Sequence, residues 1–91
     1  MPQYNPPLRD MQFVMHEVLD ATTLLKELPP YAEVDADLIN QVCEEAGKFC
    51  SEVLQPLNAS GDAEGCHYDA ATHTVTTPKG FKAAWDQFVQ A

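Results

Sequence analysis

The chain has 91 residues and a formal net charge of -9, from five Lys and Arg against 14 Asp and Glu, so it holds one small domain or a piece of a larger one and excludes a second full domain. That charge repels phosphate backbones and anionic lipid, which argues against nucleic acid and membrane as partners. Apolar residues make up 45% of the chain in runs no longer than three, too short for a membrane span or a signal peptide.

The expected setting is therefore soluble and cytoplasmic. Area scaling buries roughly 64% of the unfolded surface at this size, enough for a core with little margin. The three cysteines, Cys43, Cys50 and Cys66, are an odd count that suits a reducing compartment, where thiols pack as small apolar residues and form no disulfide.

The first seven residues contain three prolines, which favour an extended arm that needs a surface to lie on. From Leu8 the apolar residues Met11, Val14, Met15, Val18 and Leu19 recur at three and four residue steps, predicting an amphipathic helix to about Asp20 or Ala21. Phe13 projects about 170° from the centre of that stripe, into solvent or onto something outside the helix's own core face.

Thr22 or Thr23 is the expected cap of a short turn through Leu28, ended by Pro29-Pro30-Tyr31, since proline cannot continue the hydrogen-bond ladder. A second helix starts with Asp35 or Asp37 as N-cap. Leu38, Ile39, Val42, Cys43, Ala46, Phe49, Cys50, Val53, Leu54 and Leu57 occupy one arc of about 160° on the helical wheel, with every charge outside it. Pro56 is expected to disturb the last turn and Asn58 to lie near the end. Gly47, inside this helix, implies either another backbone approaching closely near Cys43 and Cys50 or a tolerated glycine costing about 1 kcal/mol relative to alanine.

Residues 58 to 77 turn to Asn, Ser, Gly and Asp before Cys66-His67-Tyr68 and His73-Thr74-Val75-Thr76, predicting a turn-rich loop with a small hairpin. Thr77-Pro78 then reads as N-cap and first helical residue of a third helix carrying Phe81, Ala84, Trp85, Phe88 and Val89 at helical spacing. That pattern is still running at Ala91 with no glycine, basic or proline stop, so the expectation is an unfinished domain. The fold class expected is mainly α, with about three amphipathic helices and a short loop or hairpin before the last.

Site chemistry is sparse. Cys43, Cys50, Cys66, His67 and His73 are zinc-binding residue types, but the C-x₂₋₄-C spacing of a structural site is missing, and Cys43 and Cys50 fall among Val42, Phe49 and Val53 as packing residues would. His16, beside Glu17, and the two later histidines have no nucleophile and orienting carboxylate at readable spacing. Glu44, Glu45 and Glu52 lie on the polar arc, where nothing desolvates them, so a solvated face is the better reading than an acid and base pair. No G-x-G-x-x-G and no G-x-x-x-x-G-K-[ST] occurs, so phosphate-cradling loops are missing. The expected site residues are therefore none, whether catalytic, cofactor-binding or metal-binding.

Three stretches carry a resemblance: Tyr4 to Asp20 (YNPPLRDMQFVMHEVLD), Glu44 to Gly65 (EEAGKFCSEVLQPLNASGDAEG) and Thr77 to Phe88 (TPKGFKAAWDQF). In order and gaps they resemble the N-terminal part of a long subgroup of flavin-dependent acyl-CoA dehydrogenases. Pro-Leu-Arg-Asp-Met, Glu-Ala-Gly-Lys-Phe and Thr-Pro-Lys-Gly-Phe are its most specific elements, each weak alone.

The resemblance implies that residues 1–34 form an N-terminal extension, within which Pro7 to Asp20 match the subgroup. It further implies that residues 35–91 open a helical domain that helps roof an acyl channel. Proteins of this kind are several times longer. Their middle β domain and their C-terminal bundle, with the flavin contacts and the glutamate that removes the α-proton, have no counterpart here, so no catalytic or FAD-binding residue carries over.

The implied complete protein uses FAD and an acyl-CoA substrate and forms a homo-oligomer, while this segment, inactive alone, binds the rest of its polypeptide or a second subunit. The alternative from a different class is a stand-alone acidic helical interaction module without catalysis, docking through Phe13, the proline arm and the third helix.

Overall fold

The computed structural model describes residues 3–91; Met1 and Pro2 of the expected proline arm lie outside the described residues. The fold is mainly α. In chain order it comprises α1 (Leu8–Gln12), a π-helical stretch (Phe13–Val18), α2 (Ala21–Lys26), a 3₁₀ turn (Pro29–Tyr31), α3 (Ala36–Phe49) and a second π-helical stretch (Cys50–Leu54). There follow α4 (Gln55–Glu64), the strands β1 (His67–Asp69) and β2 (Thr74–Thr76), and α5 (Phe81–Gln90). Contacts divide the residues into two units, Asn5–Lys48 and Phe49–Ala91 with the chain up to Tyr4.

In the unit Asn5–Lys48, the helix predicted from Leu8 forms, but its second half is π-helical from Phe13 to Val18. The widened turn breaks the 100° step on which the stripe was drawn. Leu8 and Met15 are half-buried, while Val14, Val18 and Leu19 of the same stripe are exposed. Phe13 is 59% exposed, off the half-buried face of Leu8 and Met15.

Asp20, at φ 48°, turns the chain into α2 through its backbone carbonyl, which accepts from Thr23 and Leu24. Thr22 and Thr23 are therefore inside α2 and neither caps it. Pro29-Pro30-Tyr31 forms a single 3₁₀ turn, the tight turn that a fixed proline φ still allows.

The N-cap of α3 is Asp35, whose Oδ1 accepts from the Leu38 N–H at 2.8 Å; this is the side-chain cap that satisfies an orphan donor of the first turn. Gly47 is buried, and a Cβ there would stand 2.7 Å from Pro6 Cγ. The close approach inferred from Gly47 is real, but it comes from the ring of Pro6 in the arm and not from a backbone. Ile39 and Ala21 are the buried apolar side chains of this unit.

In the other unit, the helix is irregular just ahead of Pro56, where a disturbance was expected, and then continues past it. The π-helical stretch Cys50–Leu54 comes just before it, and Pro56 falls in the first turn of α4. A missing N–H costs little there, because first-turn donors have no partner within their own helix. The predicted end at Asn58 moves to Gly65, which reaches φ 70° and donates its N–H to the Gly61 carbonyl at 2.8 Å; glycine takes such a φ without a Cβ penalty. Residues 58 to 64, expected as loop, are thus helical.

The hairpin forms as predicted. It is antiparallel, with His67 opposite Thr76, Tyr68 opposite Val75 and Asp69 opposite Thr74. Asp69 Oδ1 accepts from the Ala71 N–H at 2.9 Å, a local turn bond of the kind aspartate favours.

The third predicted helix starts later than Thr77-Pro78 implied. Gly80, at φ 93°, precedes α5, and the Pro78 carbonyl accepts from the Phe81 N–H. Ala84, on α5, and Pro78, ahead of it, are the buried apolar side chains here.

Candidate functional site

The arc of apolar residues read across the second helix ends in Phe49, Leu54 and Leu57, and because the helix runs on past Pro56, Asn58 joins them. From α5, helical spacing turns Phe81, Ala84, Trp85 and Phe88 the same way. Together these eight residues line an open groove of about 440 Å³. Asn58 is the one polar residue, and the Trp85 indole N–H is the other polar side-chain group of the lining.

Aromatic packing sets the walls. Phe49 and Phe88 lie with ring centroids 6.0 Å apart at 54°, and Trp85 and Phe88 at 5.7 Å and 32°, within the range in which tilted rings attract beyond their area. At one end α4 and α5 meet through glycine: a Cβ on Gly61 would stand 2.5 Å from Phe81 Cζ, so that ring packs where no other residue leaves room. At the entry to α5 a Cβ on Gly80 would stand 2.8 Å from Leu57 Cδ2. The Glu64 carboxylate accepts from the Lys79 N–H at 2.9 Å, fixing the turn that leads into α5.

The groove remains uncovered. Trp85 is 60% and Phe88 59% exposed, and Val89 beside them is open as well. Large apolar side chains gathered on one face mark a contact surface rather than scattered surface residues. Lys82 pairs with Asp86 one turn along α5, both side chains reaching solvent.

The residues weighed for chemistry lie elsewhere and apart. Cys43 and Cys50 are free and half-buried, less enclosed than packing cysteines were expected to be, and Cys66 is free and exposed. Among the described residues no three His, Cys, Asp or Glu side chains come together as metal ligands would. Glu45 pairs with Lys48 at 3.3 Å on an exposed face, where such pairs contribute little, and Glu44 and Glu52 are exposed.

His73 and Tyr68 share a hydrogen bond at 3.1 Å across the hairpin turn. His16 departs from the expected surface role: it is half-buried and its Nε2–H donates to Asn40 Oδ1 at 2.7 Å. Asn40 went unnoticed in the sequence because nothing in its spacing marks it; the two apolar faces of the groove were read on their helices, but Asn58, placed near a helix end, was not read as part of it.

These residues suit an apolar partner surface. They do not fit FAD, whose pyrophosphate and polar ring edge need several N–H or cationic donors; among its side chains the groove offers only the Asn58 amide and the Trp85 indole N–H, and no cation.

Fold and groove together define a small helical unit with an open apolar groove. No family model matches the chain. It is similar to the 3-methylmercaptopropionyl-CoA dehydrogenase of Ruegeria pomeroyi (strain ATCC 700808 / DSM 15171 / DSS-3), with 37% identity over 86 residues that make up 94% of this chain. The chain spans 14% of that relative's length. The resemblance to acyl-CoA dehydrogenases read from three stretches is thus borne out by a relative that is one by name. Among the described residues no helix is long and apolar enough to cross a membrane.

Proposed function

We propose that this chain is the N-terminal portion of an acyl-CoA dehydrogenase whose complete form catalyses FAD-dependent α,β-dehydrogenation of an acyl-CoA thioester, and that the segment itself has a structural and docking role. The observation that carries this reading is the 37% identity along 94% of the chain to a relative of which it spans 14%. The uncovered groove supports it. Phe81, Trp85 and Phe88 form a surface that another part of the same polypeptide, or a second subunit, covers in the complete protein.

On this reading residues 1–34 are an extension and residues 35–91 open the helical domain. The catalytic residues and those that hold FAD lie elsewhere in the complete protein, which is cytoplasmic and homo-oligomeric and has neither nucleic acid nor membrane as partner.

The test is a comparison of the 91-residue chain alone and with the remaining polypeptide supplied in trans. Alone it should bind a hydrophobic dye and sediment with concentration dependence, and both should disappear on addition of the missing polypeptide. A monomer at high concentration that unfolds in one sharp transition and binds no dye would overturn the proposal and favour the stand-alone interaction module.

A further inference from the structure

We draw no further inference here: the strongest candidate outside the groove, the exposed β1–β2 hairpin with its Tyr68–Val75 pair and Tyr68–His73 hydrogen bond, is an unpartnered face, and nothing in the structure shows what covers it.

Discussion

On the function proposed above, replacing Trp85 with alanine should cost different amounts in the 91-residue chain and in the complete protein, and the difference follows from the groove. Trp85 is 60% exposed, so two-fifths of its surface is already covered within the chain, with the Phe88 ring 5.7 Å away. An aromatic side chain buries about 150–250 Å² in full, so the covered part is roughly 60–100 Å² and stabilises by about 2 kcal/mol at ~25 cal/mol per Å². If another segment covers the rest, a further ~90–150 Å² is buried and the total cost rises to about 4–6 kcal/mol, against a usual range of about 3–5 kcal/mol for aromatic truncations in cores. These areas are upper bounds, because the unfolded chain already hides part of its surface, but the ratio between the two contexts survives that correction.

Urea unfolding followed by far-UV circular dichroism measures both costs. The loss in the complete protein should be about two and a half times that in the chain alone. Equal losses would mean that Trp85 faces solvent in both, and the docking role of the groove would be refuted.

Asp35→Ala removes the side-chain acceptor for the Leu38 N–H and should lower stability by about 1 kcal/mol; Asp35→Ser should restore most of it, and an unchanged urea midpoint for the alanine variant would show that the cap is idle. Gly80→Ala meets both a φ of 93° and Leu57 Cδ2 at 2.8 Å, so it should lose about 1–2 kcal/mol to backbone strain and about 1–3 kcal/mol more to overpacking. In a Leu57→Ala background only the strain should remain, and a double-mutant cycle without coupling would contradict the contact. The purified 91-residue chain should neither bind FAD nor reduce a dye in the presence of acyl-CoA, because the groove has no cationic side chain and too few N–H donors for a pyrophosphate; a stoichiometric yellow complex would show that reading to be mistaken.

Local chemistry was legible in the chain of letters wherever one short segment decides its own conformation. Asp35 caps α3 because an aspartate before a periodic apolar run offers its carboxylate to the third N–H. The hairpin at His67–Thr76 follows from alternating strand formers around a polar turn. The family resemblance was also readable, since it rests on residue order alone.

Other features required groups distant in sequence to meet. Gly47 announced a close approach, but only the tertiary structure identified the Pro6 ring that makes it. Pro56 stops a helix when judged by its own missing N–H, yet the π-helical stretch before it puts it in a first turn, where that N–H is not needed. Gly61, a weak helix former by itself, stays helical and buried because the Phe81 ring packs against it. The groove depends on all of these decisions at once. Helical periodicity names the apolar face of each helix, but which two faces meet, and how much of them stays uncovered, is set by packing between segments that sequence spacing does not encode.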